Sequence, residues 1–329
     1  MSSRRGQAIE RGAGGAPLRA PSRVRPATRG DGPEIVDLLN ACDVAEVGEP
    51  DSTIEDLEND WSMEGFDPGS DAWVAEGSGA VLVGYAYAGD QLRTGELEAD
   101  LWVHPDHHEP ELGGRLLGLA ERRAARLAVE RGYPDPSLDV FCITANRAKR
   151  ELLRRHGYEL KRTVFRMTID LAGGAPDLPV PEGLVIRPFR LEADERVMYE
   201  TMNEAFEDHF QQSEEPLDAW RARLLGHADF DPDLWWLAWD GDEAAGALIA
   251  YDHGDLGWIK GLGVRRAWRR RGLGGALLAH ALRAFAARGQ LRVDLGVDAE
   301  GETMPLRLYE RAGMQASSAY DLYTTRLSG

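Results

Sequence analysis

The chain is written twice, and that repeat constrains its fold more than any single motif. Val24-Arg25-Pro26 returns as Ile186-Arg187-Pro188, and Trp73-Val74-Ala75-Glu76 with Gly84-Tyr85 returns as Trp236-Leu237-Ala238-Trp239 with Gly246-Ala247. Leu101-Trp102-Val103 then parallels Leu262-Gly263-Val264, and Leu152 to Tyr158 parallels Leu308 to Met314. Four landmarks recur in one order at offsets of 156 to 163 positions. Recurrence at a nearly fixed spacing sets the architecture before any motif is interpreted, because each copy must close its own core. A length of 329 residues suits two such copies. Within each copy an extended start precedes a helix (Pro33 to Cys42; Glu195 to Phe206), followed by paired strands, a buried strand and a long amphipathic helix. In the second copy that helix is expected from Gly275 to Arg288, with Leu277, Leu278, Ala281, Leu282 and Phe285 at helical spacing and Gly289 as its stop. A strand at Leu291 to Val297 and a short helix through Tyr309, ending at Gly313, complete a mixed α and β layer domain.

Two segments fall outside the copies. Residues 1–23, rich in Gly, Ala, Pro, Ser and Arg, have no apolar periodicity and read as a disordered tail; they also lack the amphipathic spacing of a transit peptide. Residues 172–183 carry three prolines and three glycines and read as a semi-rigid linker. The expected domains are therefore 24–171 and 184–329.

The formal charge of -18 repels phosphate backbones, which argues against a nucleic-acid partner. No apolar run is long enough for a membrane span or a signal peptide. Cys42 and Cys142 are too few for a disulfide framework or a thiolate zinc site, so no metal is expected and a cytoplasmic location is the default. Nothing in the residues indicates an oligomeric state.

One segment of the second copy carries chemistry. From Trp258 to Gly275 an apolar strand runs into a loop, Arg265-Arg266-Ala267-Trp268-Arg269-Arg270-Arg271-Gly272, and the loop into the helix start Leu273-Gly274-Gly275. Unpaired N–H groups and the positive end of the helix dipole make such a start an anion site. Gly272, Gly274 and Gly275 are expected to let a diphosphate approach, with Arg269, Arg270 and Arg271 adding charge at the mouth. A third Rossmann glycine and a Gly-Lys-Ser/Thr loop are both missing. Glycines at a helix start also permit tight packing, and an arginine run is commonly a solvated surface.

Arg269-Arg270-Arg271-Gly272-Leu273-Gly274, five residues after Val264, with Leu308-Tyr309 and Gly313-Met314 later, resembles the signatures of the GNAT family of acyl-CoA-dependent N-acetyltransferases. The resemblance covers both copies. It implies an α+β fold, two tandem GNAT-like domains, each a mixed, mostly antiparallel sheet flanked by helices. It further implies acetyl-CoA as co-substrate and a small-molecule amine as acceptor. The amides of the loop from Arg269 to Gly275 would hold the pyrophosphate, the backbone of Leu262, Gly263 and Val264 the pantetheine arm, and Tyr309 would lie near the thioester sulfur. The tandem arrangement is similar to that of the mycothiol synthase type. Two positions depart from that pattern: Gly257-Trp258-Ile259-Lys260 contains no carboxylate, and Glu302 stands where the family often has Asn.

Alignment of the copies puts His108 opposite Arg269, Glu111 opposite Gly272 and Leu153 opposite Tyr309. A carboxylate facing a diphosphate and a missing hydroxyl make the first copy a degenerate domain. For the general base, Asp255, just before the strand, is the expectation, with Asp252 and His253 beside it. The acidic stretch Glu204, Glu207, Asp208, Glu214, Glu215 and Asp218, with His209 and Phe210, would attract a cationic amine or form a solvated face. A peptide or protein N-terminus as acceptor, and a non-catalytic acyl-CoA sensor, are the alternatives at this point.

Overall fold

The computed structural model describes residues 23–327, apart from 92, 108, 110, 208–215, 255 and 299–305. Its fold is mixed α and β, with mostly antiparallel strand pairing. In the first copy the elements are β1 (Arg23–Pro26), α1 (Gly32–Glu46), α2 (Ile54–Trp61), α3 (Pro68–Asp71), β2 (Ala72–Glu76), β3 (Leu82–Gly89), β4 (Glu96–Val103), α4 (Leu112–Arg131), β5 (Ser137–Ile143), α5 (Arg147–Arg155) and β6 (Glu159–Asp170). The second copy gives β7 (Leu184–Pro188), α6 (Glu195–Phe206), α7 (Leu217–Leu224), β8 (Trp236–Asp240), β9 (Glu243–Asp252), β10 (Gly257–Val264), α8 (Leu273–Ala287), β11 (Arg292–Asp298), α9 (Leu306–Arg311) and β12 (Gln315–Arg326).

The chain divides into two compact units, one of residues up to Lys161 together with those from Leu322, the other Arg162–Asp321. Thus β6 and β12 each contribute residues to both units, and the segment 172–183, expected as a linker, lies within the second. In the first unit the strands run in the order β1-β2-β3-β4-β5, with β4 and β5 parallel. In the second the order is β6-β11-β10-β9-β8-β7, with β10 and β11 parallel.

The repeated landmarks have structural reasons. Arg25 grips Asp31 with two hydrogen bonds (2.7 and 2.8 Å) just before α1, and Arg187 grips Asp194 (2.9 and 3.3 Å) just before α6. Each bidentate pair ties the first strand of its copy to the start of the first helix. The long helices α4 and α8 bury their apolar stripes on the sheet: Leu112, Leu116, Leu117 and Ala120 in one, Leu273, Leu277, Leu278, Leu282 and Phe285 in the other. Burial of five large side chains along α8, at about 1.5–3 kcal/mol each, holds the start of that helix against the end of β10.

Candidate functional site

The site is opened by a defect in pairing. β10 pairs with β9 along its whole length, with a bulge between Ile259 and Gly261, yet its parallel register with β11 runs only from Gly257↔Val293 to Ile259↔Leu295. Meanwhile β11 turns to β6 and pairs with it from Arg292 to Asp298. The two parallel strands separate beyond the bulge, where an extra residue bends and twists β10; β4 and β5 likewise part beyond Ala99↔Val140. Among the described residues, one edge of Gly261-Leu262-Gly263-Val264 is left without a ladder partner, and an extended chain of the right length can hydrogen-bond there.

On the side of β10 facing α6 that stretch lies under the helix. A Cβ on Gly261 would lie 2.7 Å from Met202 Cε, and one on Gly263 would lie 2.7 Å from Ala205 Cβ. Gly263 is therefore required by the close approach of α6, whereas at Gly261 the neighbour is the movable end of Met202, a reason for the glycines that the sequence reading did not supply.

The loop after β10 is built around positive φ. Arg270 (φ 61°) and Gly272 (φ 89°) both take left-handed conformations, and Gly272 is the N-cap of α8 with no side-chain cap. The first amide bonded back into the helix is Ala276 N–H, to Gly272 C=O at 3.1 Å, so the amides of the preceding turn have no intrahelical acceptor. Open space surrounds the Gly272 position, whereas the missing side chains of Gly274 and Gly275 face Leu308, at 3.3 and 3.5 Å, and Gly275 also faces Leu178 at 3.3 Å. Gly272 keeps the mouth open; Gly274 and Gly275 let α8 pack on α9 and on the 172–183 segment. Leu273 is buried and anchors the turn.

The arginines divide by task. Arg269 donates to Val264 C=O (3.0 Å) and Ala205 C=O (2.9 Å), which clamps the loop to β10 and α6. Arg265 pairs with Glu204, Arg266 with Glu207 at 3.7 Å and Arg271 with Asp240 at 3.9 Å. Arg270 is exposed and has no partner among the described residues, so it is the arginine whose charge is uncommitted. Of the acidic stretch, Glu204 and Glu207 are taken up by these pairs and Asp218 by Arg221 (3.0 Å); Asp208, His209, Phe210, Glu214 and Glu215 lie outside the described residues.

Tyr309 is in α9, 8% exposed, within the core that includes Leu295, Val297 and Met314. Burial pushes its phenol up to about 12. Its hydroxyl makes no hydrogen bond to the described residues. A phenol at about 12 would give its proton to a thiolate of pKa about 8.5 only at a cost of roughly 5 kcal/mol, which argues against it as a proton source.

Asp255 lies outside the described residues, as do His108 and Glu302. Its neighbours in the turn are tied down: Asp252 accepts from Gly254 N–H (3.0 Å) and from the Gln290 amide, and His253 Nδ1 meets Asp229 Oδ2 at 2.6 Å. Asp229 N–H in turn donates to His227 Nδ1 (3.1 Å), and His227 stacks on Tyr251 at 4.4 Å. Burial lowers the His227 pKa. This turn borders an open cavity of about 410 Å³ lined by Asp229, Asp231, Asp252, Arg288 and Gln290. The sequence reading missed His227 and Asp229, because only the fold brings the α7–β8 segment against the end of β9.

A twice-built mixed sheet, parallel strands that part beyond a bulge, and a helix start with unbonded amides at the strand's end together define an acyl-CoA-dependent N-acyltransferase. The chain belongs to the GNAT family of acetyltransferases, and it is an N-acetyltransferase. The Acetyltransferase (GNAT) family profile matches residues 196–314. Mycothiol acetyltransferase of Geodermatophilus obscurus is 33% identical over 258 residues, covering 74% of this chain and 79% of that protein. The protein of the same name from Kineococcus radiotolerans is 35% identical over 244 residues, 72% and 76% of the two chains. Among solved structures, a GCN5-related N-acetyltransferase from Sphaerobacter thermophilus is 30% identical with a TM-score of 0.83, covering 93% of this chain and 96% of that one. A tandem GNAT protein from the clavulanic acid biosynthesis pathway shares the fold at 15% identity, with a TM-score of 0.68 and coverage of 93% and 99%. No helix of the described residues is long and apolar enough to cross a membrane.

Proposed function

We propose that this chain moves an acetyl group from acetyl-CoA to the primary amine of a small molecule, with the chemistry done by the second copy, residues 184–329, and none by the first, residues 24–171. The observation that carries this reading is the asymmetry of the two helix starts. Gly272 at φ 89° leaves open space in front of α8, whereas Glu111, the N-cap of α4, is at φ -91° and brings a carboxylate. Leu112 N–H is also already spent on Glu109 C=O at 3.3 Å.

In this reading the amides of Gly272 to Gly275 and the Arg270 side chain hold the diphosphate of the co-substrate, with Arg269, Arg271 and Leu273 shaping the loop. The free edge of Leu262, Gly263 and Val264 pairs with the pantetheine arm and orients the thioester carbonyl. Holding the two reactants together supplies most of the acceleration, and backbone N–H groups at the bulge stabilise the developing oxyanion. Tyr309 donates a hydrogen bond to the departing sulfur. An alkyl amine must first lose a proton, at a cost of about 4 to 5 kcal/mol at neutral pH, and the base that takes it is on the β9–β10 turn: Asp255, or His253 oriented by Asp229.

A thiol-release assay over a panel of amines, with amino sugars and a mycothiol-like amine first because of the relatives' name, tests the reaction. Release with one small amine and with no peptide N-terminus is expected. Release with peptides alone, or with nothing, defeats the small-amine reading. Asp255→Asn and His253→Gln assign the base: the one that removes the acid limb of the kcat/KM profile is the proton acceptor.

A further inference from the structure

In the first unit, the sheet face under α1 and α2 differs in kind from its counterpart. The positions that repeat Gly261 and Gly263 are Asp100 and Trp102. Trp102 stacks with Tyr85 (ring centroids 5.6 Å) and with Tyr87 (6.2 Å), and Phe66 meets Tyr87 edge-on at 6.3 Å. Trp61 Nε1 donates to the Tyr85 hydroxyl at 3.1 Å, which closes the inner end of this aromatic row. The outer end is open: Phe66, Tyr87 and Trp102 are half-buried, and the Tyr87 hydroxyl has no partner among the described residues.

Carboxyl groups surround that outer end. Glu98 lies on the same face of β4 as Asp100 and Trp102, and a Cβ on Gly89 would lie 3.8 Å from Glu98 Oε1 and 3.9 Å from Phe66 Cδ2. Glu98 Oε1 is shut off from solvent and has no hydrogen-bond partner among the described residues. A buried carboxylate oxygen without a donor is costly and calls for a reason. Burial, then repulsion from Asp60, Asp100, Asp90 and Asp139, pushes Glu98 up to about 7.

The protein itself shows which cation this chemistry selects. Lys149 brings its ammonium over the Trp102 ring, 5.3 Å from the centroid, and pairs it with Asp100. That is a primary ammonium held by an aromatic face and a carboxylate. One step along the same face, Tyr87, Phe66, Glu98 and Asp60 repeat the two ingredients, while the arginines near Gly65, Arg93 and Arg131, are paired with Glu64 and Asp90.

We propose that the edge formed by Phe66, Tyr87, Trp102, Glu98 and Asp60 binds the primary ammonium group of a small amine. The ammonium rests against the Tyr87 ring, and the Glu98 carboxyl turns outward to accept from it; the apolar body of the ligand covers Phe66. The site belongs to the first unit and stands whether or not the second unit uses the acceptor class argued above. It makes the first copy an amine-binding module rather than a bare scaffold.

Isothermal titration of the full chain with cyclohexylammonium chloride, and with cyclohexanol as its neutral isostere, tests the assignment. Saturable binding of the ammonium is expected, with cyclohexanol weaker by about tenfold or more. Glu98→Gln and Phe66→Leu should each weaken the ammonium by about tenfold while Glu111→Gly leaves it unchanged. Thermal unfolding checks that the variants are folded, and Phe66→Leu serves as the reading if Glu98→Gln does not fold. No binding by the unaltered chain, equal binding of cyclohexanol, or full affinity in both first-unit variants would overturn the site.

Discussion

The loops before α4 and α8 occupy equivalent places in two copies of one fold, and a single backbone angle separates their uses. At Gly272 the chain turns through φ 89° into open space, while at Glu111 it stays right-handed at -91° and the helix is entered from a tightened turn. A helix start presents donors wherever it occurs; whether an anion can reach them depends on what precedes the first turn. The strands repeat the lesson. Gly261 and Gly263 admit α6 to the floor of β10, and Asp100 with Trp102 instead fills the same place in the first unit with a charge and a ring. At that place the second unit presents a backbone surface and the first a side-chain surface.

Making the second loop resemble the first is the strongest way to break the comparison. Gly272→Glu should reduce acetyl-CoA affinity by more than about a hundredfold, since it adds a carboxylate to the left-handed strain of about 1–2 kcal/mol. Gly272→Ala, which carries the strain alone in open space, should cost about tenfold. Calorimetry on both variants separates charge from conformation; equal losses would show that strain alone closes the site.

Tyr309→Phe should lower kcat by about 10- to 100-fold, the worth of a hydrogen bond to a charged sulfur, and leave the acetyl-CoA dissociation constant within about twofold. If binding falls instead of turnover, the residue packs against the co-substrate and takes no part in the step.

A third test concerns stability. Glu98 is raised from the usual carboxylate range to about 7, so the folded chain holds that proton more tightly than the unfolded one. Its contribution is therefore present below about pH 4.5 and lost as pH rises through 7, a penalty of up to about 3 kcal/mol in alkaline solution. Glu98→Gln, which cannot ionise, should unfold at a higher temperature than the parent at pH 8 and at nearly the same temperature at pH 5. Identical melting profiles at both pH values would show that the carboxyl titrates normally. The smallest expected effect is that of Glu111→Gly: removing the carboxylate does not supply the Gly272 conformation or a hydroxyl at Leu153, and kcat should change by less than about twofold.

Much of this was legible in the residues. The repeat gave the doubled architecture, the apolar stripe of α8 was readable to within two residues at its start, and α6 spans Glu195–Phe206 as its spacing predicts. The roles inside the loop were less legible. Three glycines look alike in sequence, yet one frees the mouth and two admit neighbouring helices. Seven positions carry five arginines, and their charges are spent on Glu204, Glu207, Asp240 and two carbonyls from elsewhere in the fold, leaving Arg270.

By itself, then, the sequence determined what is periodic and local: two copies, the helix stripes, the glycine-rich helix start, the family signature. Tertiary structure decided what depends on residues far apart in the chain. The short register of β10 with β11 depends on strands distant in sequence, and the separate fates of five arginines need acids from α6 and β8. The aromatic row of the first unit forms only where β3, β4 and the α2 segment converge. Periodicity is written in neighbouring residues, but a charge is free or spent, and a strand edge open or covered, according to what the rest of the chain brings against it.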